Sequence, residues 1–262
     1  MTRRAALSPF LLLLALAGCA SVRPSAPDPL DVYLLAGQSN MAGRGTIAAE
    51  DTATHPRVFA LRADGAWHPA RDPVHFDKPR VAGVGPALTF GRAMAEAQPN
   101  VRVGLVPGAV GGTSIRAWAP GAADAATNTH PYDDALARVR RVLGAQGGRV
   151  RGVLWTQGES DGGTATVDGH AAALEALVAR LRADLDAPAL PFVASKLPPF
   201  YVAAHPGAAT VNAALDRLAA RVPYVALVET DGLRDGGDGT HLDAASAREL
   251  GRRFAAAMRR LR

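Results

Sequence analysis

The chain has 262 residues and a formal net charge of +5, and 48% of its residues are hydrophobic. This length allows one large domain with a substantial core, and the single cysteine excludes an internal disulfide. The basic residues, nearly all arginines, are spread along the chain rather than clustered with aromatic residues, so no nucleic-acid partner is predicted.

The first residues have the features of an export signal. Arg3 and Arg4 supply positive charge, residues 11–16 form an apolar block, and small residues lead to the only cysteine, Cys19. The block is shorter than the roughly 20 residues that span a bilayer, so we predict a cleaved signal. Its end, Leu-Ala-Gly-Cys, resembles the lipobox of bacterial lipoproteins, which implies a signal peptide at 1–18 and lipidation of Cys19. The alternative is an ordinary cleaved signal with an incidental cysteine.

Residues 19–30 join the predicted anchor to the domain at 31–262. They are rich in proline, serine and alanine and lack an apolar period, which is typical of a flexible tether. We therefore expect an exported protein anchored to a bacterial membrane, on the periplasmic or cell-surface side. No acidic residue stands at positions 20 and 21, which favours the outer membrane. The lipid is the only membrane contact predicted, and the oligomeric state stays open.

Within the domain, short apolar runs rich in branched residues alternate with longer amphipathic stretches. In chain order, strands are predicted at 32–36, 58–61, 101–106, 150–155, 192–195 and 224–228, and helices at 86–98, 133–146, 167–185, 208–221 and 243–261. Strand then helix, repeated, predicts a three-layer α/β/α sandwich with a central parallel sheet in a single domain. Residues 62–85 fit neither pattern and are expected to lie beside the site.

Unusual residues follow three predicted strands, and a fourth such loop lies beyond the last strand. The loops are Gly-Gln-Ser-Asn at 37–40, Gly-Ala-Val-Gly-Gly-Thr-Ser at 108–114, Thr-Gln-Gly-Glu-Ser-Asp at 156–161 and Asp-Gly-Gly-Asp-Gly-Thr-His at 235–241. Because the carboxyl ends of parallel strands share one edge of the sheet, we expect these loops to form one site.

Ser39, Asp238 and His241 have the residue types of a catalytic triad. A serine becomes a nucleophile when a base takes its proton, and a third group must orient that base. Asp238 stands three residues before His241, so on a tight turn it can bind Nδ1 and leave Nε2 facing Ser39. Taken alone, Ser39 is explained as well by capping a helix, but the other loops favour the nucleophile.

The oxygen that becomes negative during ester hydrolysis needs preorganised hydrogen-bond donors. The predicted oxyanion hole consists of the N–H groups of Ser39 and Gly112 and the side-chain amide of Gln157. Glycine at 111 and 112 lets the backbone approach a ligand. The other histidines lack the spacing of metal ligands, so no metal and no other cofactor is predicted.

The motifs at 37–41 (Gly-Gln-Ser-Asn-Met), 111–115 (Gly-Gly-Thr-Ser-Ile), 155–161 (Trp-Thr-Gln-Gly-Glu-Ser-Asp) and 238–241 (Asp-Gly-Thr-His) together resemble the SGNH hydrolase superfamily. The resemblance is to the branch of sialate O-acetylesterase-like proteins and the acetyl xylan esterases of carbohydrate esterase family 6. It implies a flavodoxin-like sandwich, a Ser39 nucleophile, a His241 base, no metal, and acetyl esters of sugars as substrates.

The resemblance leaves several residue roles open. The superfamily usually has an asparagine where this chain has Gln157, so the role of Gln157 follows from this branch alone. Glu159 is the alternative to Asp238 as the acid that orients His241, or a carboxylate near the pocket. Gln38 and Arg116 are further pocket candidates, and Arg116 is explained as well by a solvated arginine.

The leading hypothesis is a serine esterase that removes O-acetyl groups from a polysaccharide or a sialic acid through an acetyl-enzyme intermediate. A catalytically silent glycan-binding lipoprotein on the same fold is one alternative. A short-chain lipase or thioesterase is the other, although it would need a broad apolar acyl pocket and these loops are small and polar. The Gly-x-Ser-x-Gly elbow of α/β-hydrolases is absent, since position 41 is methionine.

Overall fold

The computed structural model describes residues 1–2 and 30–261. The predicted signal peptide beyond residue 2, the lipidation site at Cys19 and the tether up to residue 29 lie outside the described residues. In the part of the chain that is described, no helix combines the length and the apolar character needed to cross a bilayer.

Seven strands form a single sheet in the order β3-β2-β4-β1-β5-β6-β7. They are β1 (Leu30–Gly37), β2 (Val58–Leu61), β3 (Trp67–Pro69), β4 (Arg102–Pro107), β5 (Arg149–Thr156), β6 (Phe192–Ser195) and β7 (Val225–Val228). All neighbouring strands are parallel except β2 and β3, which are antiparallel. The prediction of a central parallel sheet is confirmed, with one antiparallel edge strand added from the 62–85 segment.

Helices cover both faces of the sheet. They are α1 (Ser39–Ala42), α2 (Ala49–Thr52), α3 (Pro86–Ala97), α4 (Pro131–Gln146), α5 (Val167–Asp184), α6 (Pro199–Ala204), α7 (Ala208–Arg221) and α8 (Ala244–Arg260), with a 3₁₀ helix at Ile115–Trp118. Apolar residues of α4, α5 and α7 pack in one cluster, and those of α3 and α8 pack in the other. The two clusters with the sheet between them make the three layers of the predicted sandwich.

Strand β1 lies at the centre of the sheet and is buried along its whole length. Its side chains alternate between the two cores, with Leu34 in one cluster and Tyr33 and Leu35 in the other. Burial of each such side chain stabilises the fold by about 1.5–3 kcal/mol. The strand that carries the nucleophile loop is therefore fixed from both sides.

The last residue of β1 must be glycine. Gly37 pairs with Thr156 of β5 and has φ +119°. A Cβ atom at this position would lie 2.1 Å from the carbonyl oxygen of Thr156. Only glycine lets the first and third site loops leave the sheet side by side, and this contact positions Gln38 and Ser39 above the sheet edge.

Candidate active site

The candidate nucleophile begins a helix at the carboxyl end of β1. Ser39 is the first residue of the short helix α1 and is 6% exposed. Its backbone N–H donates to no other group within residues 30–261, as expected for the first turn of a helix. The Ser39 hydroxyl and this free N–H therefore lie at the same rim of the sheet.

The histidine and aspartate predicted from the last loop meet this serine. His241 Nε2 lies 3.0 Å from Ser39 Oγ, and His241 Nδ1 lies 2.6 Å from Asp238 Oδ2. Both distances are within hydrogen-bond range. Ser39 and His241 are 202 positions apart in the sequence. The structure thus brings Ser39, His241 and Asp238 into the geometry of a catalytic triad.

The turn at 235–242 is held by hydrogen bonds inside the turn. Asp235 Oδ1 accepts from the N–H groups of Gly237 and Gly239, at 2.6 and 3.1 Å. Asp238 Oδ1 accepts from the His241 N–H at 2.8 Å, which leaves Oδ2 for the imidazole. One carboxylate thereby fixes both the backbone and the ring of His241.

The same bonds set the ionisation of Asp238. Burial acts to raise its pKa, but hydrogen bonds from the His241 backbone and imidazole outweigh it and lower the pKa of Asp238 to about 2. A carboxylate that stays ionised holds the Nδ1 proton and stabilises the imidazolium that forms when Nε2 takes a proton. Asp238 can therefore orient His241 throughout the neutral range.

Glu159 lies nearby but does not bind the imidazole. Its Oε1 accepts from the Asn40 side-chain amide at 2.6 Å, and its Oε2 is buried without a hydrogen-bond partner among residues 30–261. Burial raises the pKa of Glu159, an effect that the Asn40 hydrogen bond only partly offsets. Of the two acids left open by the sequence, the structure brings Asp238 to His241 and leaves Glu159 on Asn40.

Asn40 connects three of the four site loops, those at 37–40, 156–161 and 235–241. Besides Glu159, its Nδ2 donates to the Thr240 carbonyl oxygen at 3.1 Å, and its Oδ1 accepts from the Leu242 N–H at 2.9 Å. The histidine loop is therefore clamped on both sides of His241. Asn40 belongs to one of the sequence motifs, but no local pattern indicates its role, because its partners lie 119 to 202 positions away.

The second predicted donor loop carries a free N–H into the site. Gly112 has φ +90°, a conformation that favours glycine, and its amide has no acceptor within the described part of the domain. The adjacent Gly111 N–H donates to Asp77 Oδ2 at 2.9 Å. Ser39 and Gly112 thus each have a free backbone N–H, and their role in the oxyanion hole stays a prediction.

A buried ion pair supports this loop. Arg44 Nη2 lies 2.8 Å from Asp77 Oδ2, and the two side chains are 9% and 2% exposed. Although burial acts to raise it, the Arg44 guanidinium and the Gly111 N–H hold the pKa of Asp77 below its ordinary value. Asp77 comes from the uninterpreted 62–85 segment, and no local pattern in the sequence indicated it.

The structure does not place Gln157 where the predicted role requires it. Its side chain is fully buried beneath the pocket, and its Nε2 donates towards Thr113 O at 3.2 Å, Gln38 Oε1 at 3.3 Å and Asp161 Oδ2. These acceptors outnumber the two amide protons, so none is left for an oxyanion. Gln157 instead braces the loops from below.

Arg116 also lies away from the triad. It belongs to the 3₁₀ helix and lines a separate cavity with Asp161 and His170. Gln38, in contrast, lines the catalytic pocket, and its Oε1 accepts from the amides of Gly158 and Ser160, both at 3.4 Å. The pocket prediction therefore agrees with the position of Gln38 and not with that of Arg116.

The catalytic pocket is a cleft of about 400 Å³ over the triad. Most of its lining residues have polar side chains, and the lining includes Gln38, Ser39, Arg44, Lys78, Val81, Gly112, Glu159, Tyr201 and His241. Of these, sequence reasoning missed Arg44, Lys78 and Tyr201. Within residues 1–2 and 30–261, no group of three or more His, Cys, Asp or Glu residues is arranged to hold a metal ion.

Comparisons with known proteins match nearly the whole domain. A family model described as "Carbohydrate esterase, sialic acid-specific acetylesterase" matches residues 29–260. A protein of Arabidopsis thaliana named "Probable carbohydrate esterase" is 30% identical over 247 residues, which cover 85% of this chain and 88% of that protein.

Solved structures show the same fold. An Arabidopsis thaliana protein superposes with a TM-score of 0.77 at 29% identity, covering 88% of this chain and 98% of its own. The structure of NanS gives 0.70 at 19% identity, covering 90% and 98%. The family match spans nearly the whole domain, and the chain therefore belongs to the sialic acid-specific acetylesterase family of carbohydrate esterases.

Proposed function

We propose that the protein hydrolyses O-acetyl esters of carbohydrates through an acetyl-enzyme on Ser39. The observation that carries the proposal is the 3.0 Å approach of His241 Nε2 to Ser39 Oγ, with Asp238 on the opposite ring nitrogen. Membership of a carbohydrate esterase family supports the substrate class. The polar side chains of most residues that line the pocket support a short acyl group.

In the first half of the reaction, Ser39 Oγ attacks the acetyl carbonyl carbon while His241 Nε2 takes the hydroxyl proton. The carbonyl oxygen becomes negative within reach of the Ser39 and Gly112 N–H groups. Each such donor typically lowers the barrier by about 3 kcal/mol. The bond to the sugar oxygen then breaks, and that oxygen receives the proton from His241, which leaves an acetyl group on Ser39.

In the second half, water replaces the sugar. His241 takes a proton from water, the resulting hydroxide attacks the acetyl carbon, and the same two N–H groups bind the second oxyanion. When the bond to Ser39 Oγ breaks, His241 returns the proton to Ser39 and acetate leaves. Asp238 stays ionised in both halves and keeps the ring in one orientation.

The test is acetate release from a panel of acetylated polysaccharides and acetylated sialosides. Wild-type protein should release acetate, and Ser39→Ala should lower the rate by at least about a thousandfold, as for other triad nucleophiles. Ser114→Ala is a matched control, since this hydroxyl forms no hydrogen bond to any described residue and lies outside the pocket. Equal rates for wild type and Ser39→Ala would instead support a glycan-binding protein.

A second series separates acetylesterase from lipase or thioesterase activity. Hydrolysis of p-nitrophenyl acetate is compared with that of the butyrate and longer esters. We expect rates to fall as the acyl chain lengthens, because Arg44, Glu159 and other polar groups line the cleft. A preference for long chains would overturn the short-acyl assignment and favour a lipase.

We also propose that Cys19 anchors the protein to a bacterial membrane, because export leaders are recognised by their charged, apolar and small-residue regions. The support is the leader pattern of residues 1–18, and the outer membrane is favoured by the absence of an acidic residue at positions 20 and 21. Detergent-phase partitioning of the full chain expressed in a double-membraned bacterium tests this. Wild type should partition with detergent and Cys19→Ala with water; equal partitioning would contradict lipidation.

A further inference from the structure

A second cavity adjoins the catalytic pocket. This side cavity, about 340 Å³ in volume, is lined by His75, Phe76, Asp77, Lys78, Thr127, Thr129 and Arg138 together with apolar residues of β4 and the loop after it. Lys78 lines both cavities. A Cβ atom built on Gly112 would lie 3.8 Å from Lys78 Nζ, so the ammonium group stands at the junction between the side cavity and the oxyanion loop.

The side cavity carries an excess of positive charge. Neither Lys78 nor Arg138 forms an ion pair with any carboxylate in the described chain. The carboxylate of Asp77 is already neutralised by Arg44 at 2.8 Å. His75 adds no charge at neutral pH, because burial lowers its pKa to about 4. Both cations therefore face the cavity without a carboxylate in direct contact, while Arg138 Nη1 donates to the Pro107 carbonyl oxygen at 2.9 Å and Asp134 attracts Arg138 electrostatically.

The other lining groups are of the kinds that bind sugars. The Arg138 guanidinium lies 5.1 Å from the centre of the Phe76 ring, which fixes both side chains. The Thr127 hydroxyl donates to Asp124 Oδ2 at 2.6 Å and accepts from the Thr129 hydroxyl at 2.8 Å, which leaves the Thr129 oxygen able to accept from a ligand. His75 Nδ1 is buried and has no hydrogen-bond partner within residues 30–261. An aromatic ring, hydroxyls and cations around a cavity above about 300 Å³ suit one polar ring-sized ligand.

We propose that the side cavity binds an acidic sugar unit, one that carries a carboxylate, linked to the acetylated sugar in the same oligosaccharide. The acetylated unit occupies the catalytic pocket over Ser39, and the chain continues past Lys78 into the side cavity. Arg138 and Lys78 pair there with the carboxylate of the neighbouring unit. The inference rests on the proposed function and deepens it: the preferred substrates are acetylated acidic oligosaccharides.

The experiment compares two acetylated oligosaccharides of equal length, one of uronic acid units and one of neutral xylose units. The readout is the ratio of kcat/KM for the acidic over the neutral substrate. Wild type should prefer the acidic one. Arg138→Gln and Lys78→Gln should each lower the ratio by about tenfold, as expected for loss of one charge-assisted hydrogen bond.

Arg80→Gln is the matched control. It removes the same charge from an exposed position two residues from Lys78 that lines neither cavity, so the ratio should stay at the wild-type value. We expect Lys78→Gln to fold like wild type, because Lys78 is exposed and forms no hydrogen bond with a described residue. If Arg138→Gln fails to fold, the ratio for Lys78→Gln decides.

The outcomes separate this inference from the proposed function. If wild type shows no preference for the acidic substrate, or if both charge variants keep the wild-type ratio, the side cavity is not an acidic-sugar subsite. In either case a loss of acetate release in Ser39→Ala still supports the esterase. If Ser39→Ala and wild type release acetate equally from both substrates, it is the proposed function that fails.

Discussion

The two walls of the catalytic pocket are held in different ways. The base wall, the turn at 235–242, is stabilised within itself, and the Asp238 side chain is 56% exposed. The oxyanion wall, Gly111 and Gly112, depends on Asp77, whose side chain is 2% exposed and lies 34 positions earlier in the chain. The base wall is therefore held by short-range hydrogen bonds and is exposed to solvent. The oxyanion wall is held by a long-range contact and is buried.

This difference implies different responses to substitution. At the exposed wall, solvent screens the Asp238 charge, so its loss affects stability little and catalysis strongly. At the buried wall, removing one partner of the Arg44–Asp77 pair leaves a charge without compensation, which affects stability as well. Asp238 is therefore expected to matter mainly for catalysis, whereas the Arg44–Asp77 pair is expected to matter for both catalysis and stability.

The largest effect is expected at the base wall. Asp238→Asn should lower kcat by about a thousandfold or more, because the ring of His241 loses its ionised partner and its tautomer is no longer fixed. Glu159→Gln is the matched carboxylate variant and should lower kcat by less than about tenfold, since the glutamine oxygen can still accept from Asn40 and only the negative charge is lost. Steady-state kinetics with p-nitrophenyl acetate measures both.

The reverse order would overturn the assignment of the acid. If Glu159→Gln abolishes turnover while Asp238→Asn keeps it, then Glu159 orients His241 in the working enzyme. The melting temperature of each variant, measured alongside, distinguishes loss of chemistry from loss of fold.

An intermediate effect is expected at the oxyanion wall. Asp77→Asn weakens the anchor of Gly111 and frees Gly112 to move, so kcat should fall by about ten- to a hundredfold with KM little changed, because these donors act in the transition state. Asp64→Asn, an exposed carboxylate in the same segment, is the control. Unchanged kcat for Asp77→Asn would show that the loop keeps its geometry without the ion pair.

The smallest effects are on stability, and their pH dependence has opposite signs at Asp238 and Glu159. The pKa of Asp238 is lowered from 3.8 to about 2, so its contribution is present above pH 3.8 and is lost as the pH falls towards 2. The pKa of Glu159 is raised above 4.5, so wild type should lose stability relative to Glu159→Gln as the pH rises through and beyond 4.5.

Urea unfolding of wild type and the two variants between pH 3 and 8 measures this contrast. Relative to Asp238→Asn, wild type should gain stability up to about pH 4 and then stay level. A difference curve of the same sign for both variants would contradict the assignment of one exposed, ionised carboxylate and one buried carboxylate.

The two walls also explain what the sequence could predict. Asp238 and His241 lie three positions apart, so the turn they form was evident from spacing and glycine content. The Arg44–Asp77 pair joins residues 33 positions apart through tertiary packing, and no local pattern indicates it. Strand β3 was missed for a related reason, since three residues at an antiparallel edge show no measurable period.

Gln157 illustrates another limit. Its loop was predicted correctly, because that loop follows the carboxyl end of β5. The direction of its side chain depends on acceptors at Thr113 and Asp161, which draw the amide beneath the pocket. A sequence pattern gives the loop on which a residue lies, whereas its partners decide which way the side chain points.

The most direct test of the central claim is covalent labelling with a fluorophosphonate, followed by peptide mass spectrometry. A triad in the observed geometry predicts one adduct, on Ser39, with labelling strongly reduced in His241→Ala because the base is lost. An adduct on another residue, or equal labelling of wild type and His241→Ala, would contradict the claim that His241 activates Ser39.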